Sequence, residues 1–374
     1  MELYKIPEKS GEFIIEPLNI EKILKLCDEN RKKREKFKKF FDFEIKGEFI
    51  VSSSHQTVFY HPGIWIKPLF MTELRKRGIK TRFYENDIDG TDRIFFYYPD
   101  KEFNIKREFL FYSPFKIALE YIESKEIEKN KSLIKNFLEK LPVNLKIRAE
   151  KFFQIFLKNL ETKKFFSEAF SNSRIQFEQE ALYENFFLSD ILNSKEFFSL
   201  FSYFFINADK VYECYNEAII EYRKKFNIKN KTEPALLLEK KNDLIELPFF
   251  LNLKERFRIF KKKDNLYTEK FEIYLGREKE DVLFNSITLP IRPRSLILSM
   301  YYKIFESDLF YHGISGKNYD RATDIFIEKL FGISAPVTGV ISLTLFLENI
   351  EKRDFPFFFF DKEKILDLIN STFS

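Results

Sequence analysis

Cysteine is almost absent from this sequence of 374 residues, because Cys27 and Cys214 are the only two and they stand far apart. Two isolated cysteines support neither a disulfide framework nor a cysteine-based metal site, and they are typical of a reducing cytosol. A long apolar run is also missing, since crossing a bilayer takes about 18–20 such residues and the run 355–360 is far shorter. The polar first residues, 1–5, lack the pattern of a signal peptide. We therefore expect a cytoplasmic protein with no membrane partner.

A strong excess of charge of one sign is missing as well. Lysine and arginine number 63 and aspartate and glutamate 58, which leaves a net charge of +5. The basic stretch 30–39 falls within residues 18–42, where apolar residues recur at helical spacing. Its lysines are therefore expected to form the solvated face of an amphipathic helix. Binding to nucleic acid is not expected from so small and evenly mixed a charge.

Histidine is scarce too, with three in the whole chain, and tryptophan occurs once. His55, His61 and the single tryptophan lie in the stretch 52–67, and His312 opens the stretch 312–320. Both stretches carry glycine, of which the chain has only 10. This distribution points to a functional site assembled from both ends of the sequence.

The first of these stretches lies in a βαβ pattern. A strand is predicted at 48–51, a helix at 69–77 and a second strand at 81–84, with the histidines in the loop after the first strand. The ligand crevice of such a unit lies outside the carboxyl ends of its strands. The histidine loop and the acids after the second strand, Asp87 and Asp89, are therefore expected to share one rim.

The middle of the chain has no glycine between Gly90 and Gly276 and repeats apolar residues at helical spacing. We predict four to six helices over 114–230, whose aromatic stripes form core. The predicted fold class is α/β, with a Rossmann-like core built from N- and C-terminal portions and an inserted helical subdomain. The predicted parts are 1–113 for the N-terminal part of the core, 114–240 for the helical insertion and 241–374 for the C-terminal part.

A second strand–loop–helix pattern surrounds His312. A strand is predicted at 309–311 and a helix at 319–331, with a glycine-bearing loop between them. Such a loop directs backbone N–H groups and the positive end of the helix toward an anion, although its spacing matches neither a Walker A loop nor the dinucleotide fingerprint. We predict that it binds a phosphate or a carboxylate. The residues assigned to it are Gly313, Gly316, Lys317, Asn318, Tyr319 and Asp320.

The two histidines of the first stretch lie six residues apart, which places them on two sides of a pocket rather than on one helix face. His55 and His61 could supply acid–base chemistry or charge stabilisation to a phosphate or acyl group. The alternative is that they cap and hold the loop. A zinc site that combines the three histidines with Asp87 ranks lowest, because neither HxxxH nor CxxC spacing is present, and no metal is predicted.

Three further groups of charged residues carry both a functional and a structural interpretation. Arg292 and Arg294 precede a predicted helix and suit bidentate recognition of a carboxylate or phosphate, although surface salt bridges use arginine more often. Glu246, in a predicted strand, could hold an amine or a hydroxyl or could belong to an edge strand. Asp87 and Asp89 could bind a ribose hydroxyl, an amine or Mg²⁺, or could form ordinary turns.

Taken together, these blocks resemble the bacillithiol-biosynthesis cysteine-adding enzymes, the cysteine ligases called BshC, and more closely a sister group of that family. The blocks that carry the resemblance are Ser54-His55-Gln56, His61-Pro62-Gly63 with Lys67, the acids of 85–89, Pro293-Arg294 and the stretch 312–319. The sister group is similar in its His-Pro-Gly-Val/Ile-Trp pattern, here ending at Trp65, and in its His-Gly-Ile-Gly-Gly-Lys-Tyr-Asp pattern. The resemblance covers the two α/β portions. It implies a Rossmann-like core with inserted helical segments and a nucleotide-binding crevice.

The sequence also departs from that family. Ser54 stands where the family has a loop glycine, and His55 stands where it has a glutamine. The long C-terminal coiled coil of the cysteine-adding enzymes has no counterpart here. The pocket implied by the resemblance could therefore serve a changed reaction.

The expected function is that of a carbon–nitrogen ligase or transferase, which joins a cysteine-like amino acid or another amine to a small, sugar-type acceptor. ATP, ADP or another nucleotide is the expected occupant of the crevice, and a small molecule is the expected partner. The alternative is a non-catalytic scaffold or sensor of the same fold that binds a nucleotide or metabolite; a homo-oligomer stays open. The expected catalytic residues are His55, His61 and His312. The expected binding residues are Gln56, Gly63, Trp65, Lys67, Asp87, Asp89, Glu246, Arg292, Arg294, Gly313, Gly316, Lys317, Asn318, Tyr319 and Asp320.

Overall fold

The structure is a computed structural model, and it describes residues 3–45, 47–253, 255–347, 350–352 and 354–373. The protein is mixed α/β, as the sequence predicts. Its strands are β1 (Phe13–Glu16), β2 (Ile50–Gln56), β3 (Lys80–Asn86), β4 (Gly90–Pro99), β5 (Ile105–Ala118), β6 (Glu184–Phe187), β7 (Lys240–Lys241), β8 (Leu244–Asn252), β9 (Arg256–Lys262), β10 (Asn265–Tyr267), β11 (Glu272–Tyr274), β12 (Ile291–Pro293), β13 (Leu309–His312) and β14 (Gly339–Leu343). Its helices are α1 (Ile20–Glu35), α2 (Pro62–Lys76), α3 (Ser124–Glu128), α4 (Lys131–Lys140), α5 (Val143–Thr162), α6 (Phe166–Glu178), α7 (Leu188–Ile191), α8 (Lys195–Ile206), α9 (Ala208–Lys225), α10 (Lys279–Ser286), α11 (Ser295–Tyr301), α12 (Ile314–Phe331) and α13 (Lys362–Asn370).

The strands form two larger sheets and one hairpin. The first sheet has the strand order β1-β14-β13-β2-β3-β6, and the second has the order β11-β10-β9-β8-β12 with β7 beside β8. In the first sheet β1 and β14 are antiparallel whereas β3 and β6 are parallel, so the sheet is mixed. The hairpin is β4 with β5, which pair antiparallel. A Rossmann-like core, whose sheet is mostly parallel, is not confirmed.

The chain divides into two compact units, and each draws on segments that are distant in the sequence. Unit 1 comprises Met1–Lys5, Ile20–Val51 and Asp190–Gly339, and unit 2 comprises Ile6–Asn19, Ser52–Ser189 and Val340–Ser374. The division at Ser189 falls inside the stretch that was expected to form one helical insertion. Helices α3 to α6 belong to unit 2 and α8 and α9 to unit 1, while β6 pairs with β3. A single inserted helical subdomain is therefore not confirmed.

The aromatic stripes of the middle helices are core, as predicted. In unit 2, Phe152, Phe153 and Phe156 of α5 are fully buried. In unit 1, Phe197 and Phe201 of α8 are fully buried as well. Burying such a side chain completely is worth about 1.5–3 kcal/mol, so these stripes stabilise the units and need no cofactor to explain them.

The helix lengths and compositions also bear on the membrane prediction. Among the helices in the described part of the chain, none is long and apolar enough to cross a bilayer.

Candidate functional site

The serine-rich stretch before the first histidines is a strand rather than the predicted loop. Strand β2 runs through Ser52, Ser53 and Ser54 to Gln56, so that His55 lies near its carboxyl end. Ser52 and Ser53 are completely buried, and their small side chains allow close packing on both faces of the sheet. The expected loop is thereby reduced to the few residues between β2 and α2.

His61 ends this short loop and caps helix α2. Its Nδ1 accepts a hydrogen bond from the backbone N–H of Gly63 at 3.1 Å, and Pro62 occupies the first helical turn, where no backbone donor is needed. A Cβ on Gly63 would lie 2.3 Å from the backbone oxygen of Leu343. Glycine is therefore required here by close backbone approach. The capping role that was the alternative for the histidines is present at His61.

His55 is half-buried and its ring is fixed by the backbone. Its Nδ1 lies 3.1 Å from the carbonyl oxygen of Gln56, and its ring meets the Tyr60 ring edge to face with centroids 5.3 Å apart. Burial, with the charge of Lys67 as a second cause, holds the pKa of His55 well below its ordinary 6.5. The imidazole is therefore neutral at pH 7.

Lys67 is a buried cation on α2 that donates a hydrogen bond to a backbone carbonyl. Its Nζ donates to the oxygen of Ser54 at 3.0 Å, and only 4% of the residue is exposed. Burial lowers the pKa of Lys67 to about 8. A buried cation in this position makes protonation of the neighbouring His55 less favourable.

A cavity of about 550 Å³ in unit 2 lies against these residues. This volume falls within the range of roughly 300–1,000 Å³ that small-molecule sites occupy. Its aromatic lining residues are Phe59, Tyr60, Phe95, Phe96 and Tyr97. Its polar and charged lining residues are His55, Gln56, His61, Thr91, Asp92, Arg93, Lys116 and Asp354.

Unit 2 also contains a completely buried ionic network. Arg174 of α6 donates to Glu85 of β3 at 2.6 Å and to both carboxylate oxygens of Glu178 at 2.8 and 3.0 Å. The indole N–H of Trp65 and the hydroxyl of Tyr183 also donate to Glu178, each at 2.8 Å. Trp65 therefore belongs to this structural network, and it is not among the residues that line the cavity.

The two aspartates after β3 are held by side chains of unit 2. Asp87 accepts from the backbone N–H of Ser189 at 3.0 Å and from its hydroxyl at 2.5 Å. Burial raises the pKa of Asp87 to about 7. Asp89 accepts from Gln56 at 2.6 Å and from Asn86 at 3.0 Å, which ties the end of β3 to a cavity-lining residue. Asp89 thus contacts the histidine stretch through Gln56, and a ligand rim shared by the two loops stays a prediction.

In unit 1, His312 belongs to a buried polar cluster with both ring nitrogens facing protein. Its Nε2 lies 3.3 Å from the hydroxyl of Ser299 and 3.6 Å from Asp320, and Asp320 is paired with Lys303 at 2.8 Å. A Cβ on Gly316 would lie 3.0 Å from the Nδ1 of His312. A serine nucleophile triad needs the carboxylate on the ring nitrogen opposite the serine, whereas here both face the same nitrogen. The arrangement is therefore not a triad.

Charges within this cluster compensate one another. Burial raises the pKa of Asp320, but Lys303 and His312 outweigh it and hold that pKa well below its usual range. Burial lowers the pKa of His312, so the ring is neutral at pH 7. The catalytic role expected of His312 remains a prediction.

The glycine loop expected after His312 is mostly helix. Helix α12 begins at Ile314 with Gly313 as its N-cap, so Gly316, Lys317 and Asn318 are helical, and Tyr319 lies in the helix as predicted. The Nζ of Lys317 donates to the backbone oxygen and the hydroxyl of Thr338 at 2.6 and 2.8 Å, and the Asn318 side chain pairs with the backbone of Tyr4. The loop prediction is wrong for residues 316–318. Anion binding remains a prediction, and an anion would have to displace these contacts.

The remaining predicted site residues of unit 1 form a second ionic cluster. Glu246 is buried and accepts both guanidinium hydrogen bonds of Arg258 at 2.6 Å, and it also pairs with Arg294. Arg292 is buried on β12 and lies 3.4 Å from Asn193. A buried carboxylate satisfied by two arginines is a structural tie between β8, β9 and the start of α11.

The predicted residues thus fall into two groups, one in each unit. The structure brings His55, Gln56 and His61 together around the cavity, and it brings His312, Lys317 and Asp320 into one cluster of unit 1. Sequence patterns missed Tyr60, Arg93, Lys116, Asp354 and Arg174 in unit 2 and Ser299 and Lys303 in unit 1. Arg174 gave a faint signal, since it is a lone cation among buried small and aromatic residues of α6.

Metal binding and outside similarity complete the description of the site. Across the described residues, no three or more His, Cys, Asp or Glu side chains are grouped so that they could hold a metal ion. Comparison of the sequence with protein-family models and with curated proteins gives no match.

Proposed function

We propose that the cavity of unit 2 is the substrate site of a cytoplasmic ligase or transferase that joins an amino acid, cysteine-like, or another amine to a small, sugar-type acceptor. The observation that carries the proposal is that two histidines, His55 and His61, line one cavity, and that backbone groups constrain their Nδ1 atoms in opposite ways. The reaction class comes from the resemblance described above, whose blocks at 54–56, 61–63 and Lys67 all fall at or beside this cavity.

His55 is suited to act as the general base. A backbone carbonyl can only accept, so the Nδ1 of His55, 3.1 Å from the Gln56 oxygen, carries the proton. The lone pair of the neutral ring is then on Nε2. An ammonium must lose a proton before its nitrogen can attack, and a neutral imidazole accepts that proton. General-base catalysis of this kind contributes roughly 10²–10⁴-fold.

His61 has the opposite tautomer. Its Nδ1 accepts from the N–H of Gly63, so the proton of the neutral ring is on Nε2. His61 is therefore a donor, suited to stabilise negative charge that develops on the acceptor. One cavity thus carries a base and a donor, each fixed by a backbone group rather than by a mobile side chain.

The cavity walls suit a planar ring. Five aromatic side chains contribute to the lining, and Arg93 and Lys116 add positive charge at the same surface. A nucleotide such as ATP or ADP combines a flat base with anionic phosphates, and the cavity lies at the β2–α2–β3 segment, where the crevice for it was expected. Arg93 also pairs with Asp92 at 2.8 Å, which a phosphate would have to displace.

The test is a thermal-shift screen against nucleotides, amino acids and amino sugars with a variant that fills the cavity. Val58 lines the cavity, so Val58→Trp should abolish any shift, whereas Val143→Trp, at an exposed position of α5 outside the lining, should preserve it. A ligand at 100 times its Kd should stabilise the protein by about 2.7 kcal/mol. No shift with any ligand, or equal shifts in both variants, would refute the proposal.

Turnover is tested separately from binding. His55→Gln should retain the ligand shift and lose product formation, followed by mass spectrometry of mixtures of the amine and acceptor that bind. Binding without product in the parent protein would favour the non-catalytic scaffold or sensor instead.

A further inference from the structure

The outer face of the hairpin β4–β5 carries aromatic rings at the margin of the unit 2 cavity. Residues 90–97 of β4 all belong to the cavity lining. Ile94 and Phe96 point into the core, where they are 1% and 2% exposed. Phe95 and Tyr97 alternate with them along the strand, so their half-buried rings lie on the opposite, outer face.

Antiparallel pairing brings two side chains of β5 to the same face. Phe109 is the register partner of Phe95, and the centroids of the two rings are 5.5 Å apart. Arg107 is the register partner of Tyr97. The rings of Phe95 and Tyr97 meet edge to face, also with centroids 5.5 Å apart. Three rings therefore form one surface with an arginine beside it.

Two cations are held on these rings. The guanidinium carbon of Arg107 lies 4.5 Å from the centroid of Phe109 and 5.4 Å from that of Phe95. The Nζ of Lys352 lies 3.6 Å from the centroid of Tyr97. Attraction to a ring face fixes the position of a cation but does not neutralise its charge. Both cations are thus placed next to rings that line the cavity.

These cations differ from the arginine that lines the cavity. Arg93 is paired with Asp92 at 2.8 Å. Within the ranges that the structure describes, the side chains of Arg107 and Lys352 make neither an ion pair nor a hydrogen bond. The same holds for Lys116, which lines the cavity. An anion would therefore not have to displace a carboxylate from any of these three.

Positive charge is in excess at this margin. Four cations stand against two carboxylates there, namely Arg93, Arg107, Lys116 and Lys352 against Asp92 and Asp354. A phosphate monoester carries a charge of about −1.5 to −2 at pH 7, which compensates such an excess, whereas a zwitterionic amino acid does not. A guanidinium stacked on a ring keeps its N–H donors in its own plane, where they can bind two phosphate oxygens.

We propose that Arg107, Lys116 and Lys352 form the subsite that receives the phosphate groups of a nucleotide bound in the cavity. This inference rests on the proposed function, because it takes the cavity as the substrate site.

Ligands that share one base and differ in their phosphates test the inference. Titration calorimetry would compare ATP and ADP with adenosine. Arg107→Gln and Lys352→Gln should each weaken the binding of ATP and ADP by about 10-fold or more, because a hydrogen bond to a charged group is lost. Neither variant should change the affinity for adenosine. Added salt should weaken ATP binding more steeply in the parent protein than in either variant.

Lys106→Gln is the matched control. Lys106 precedes Arg107 on β5, so its side chain points to the opposite face of the hairpin, and it already pairs with Asp100 at 3.5 Å. This substitution should leave the affinity for ATP unchanged. A purely structural role of the cation–π contacts makes a different prediction. A lower melting temperature of Arg107→Gln and Lys352→Gln, with unchanged affinity for ATP, would overturn the inference.

Failure of the inference and failure of the proposed function give different results. ATP binding that is weakened equally by Lys106→Gln, or adenosine binding that is weakened as much as ATP binding, would overturn the phosphate subsite alone, while the Val58→Trp result still defined the cavity as the substrate site. Binding of amines without any nucleotide would do the same. A single-stranded oligothymidylate that binds where ATP does not would overturn the assignment to a nucleotide. No ligand sensitive to Val58→Trp would overturn both proposals.

Discussion

Replacing Arg174 by methionine should destabilise unit 2 strongly. The guanidinium is completely buried and donates to Glu85 and to both oxygens of Glu178. In Arg174→Met these carboxylates would remain buried without their cation. Removing one partner of a buried ion pair costs about 3–5 kcal/mol, because the charge left behind is uncompensated.

The single tryptophan makes the effect measurable in this unit. The indole N–H of Trp65 donates to Glu178 at 2.8 Å, so the fluorescence of the only tryptophan in the chain reports on the network itself. Urea unfolding followed by this emission should show a fall of about 3–5 kcal/mol in the free energy of unfolding. For a unit of this size the melting temperature should fall by about 10 °C.

A surface ion pair of the same unit provides the control. Arg148 pairs with Asp361 at 2.9 Å, and their side chains are 42% and 36% exposed. Arg148→Met should cost less than about 1 kcal/mol, since exposed pairs are screened by water. If both substitutions cost the same small amount, the reasoning that Arg174 compensates two buried carboxylates would be refuted.

Two further predictions concern ionisation in unit 2. The pKa of Asp87 is about 7 in the folded protein against about 3.9 in an unfolded chain, so its contribution to stability is complete below pH 4 and is lost as the pH rises through 7. This group should therefore lower the free energy of unfolding by about 1.4 kcal/mol per pH unit over this window. In Asp87→Asn the free energy of unfolding should fall less steeply with pH, when both proteins are unfolded in urea at pH values from 4 to 8. Parallel pH profiles of the two proteins would contradict the prediction. Lys67→Met should raise the pKa of His55, because the charge of Lys67 opposes its protonation, while burial, the larger cause, still keeps that pKa low. Titration of the three imidazoles by NMR would show this, and an unchanged His55 curve would argue against the electrostatic role of Lys67.

Local patterns predicted the region of the site well. The strand–helix–strand order around the first histidines, the end of α2 near Gly78 and the helical character of the middle were all readable from spacing, proline and glycine. The strand β2 was predicted too short because its last residues, Ser52 to Gln56, lack apolar alternation. Ser52 and Ser53 extend the strand because their small buried side chains pack there as apolar ones would.

Tertiary contacts decided what the patterns could not. Gly316 was taken for a loop residue, yet it lies within α12, where the ring of His312 comes so close that a Cβ would stand 3.0 Å from Nδ1. A sequence rule treats glycine as a helix breaker, whereas here a side chain from the preceding strand selects it. Likewise, Asp87 looked available for a ligand, and its partner Ser189 stands 102 residues further along the chain.

The three histidines show how scarcity can mislead and still be informative. Rarity suggested that all three act together, but their hydrogen bonds assign them different chemistry. His312 turns Nε2 toward Ser299 and Asp320, whereas the Nδ1 atoms of His55 and His61 are fixed by a backbone carbonyl and a backbone N–H. Opposite backbone partners force opposite tautomers on His55 and His61, and only the tautomer of His61 follows from its capping of helix α2. The fixed tautomers of His55 and His61, rather than the number of histidines, are therefore the feature that supports the proposed acid–base chemistry in the cavity of unit 2.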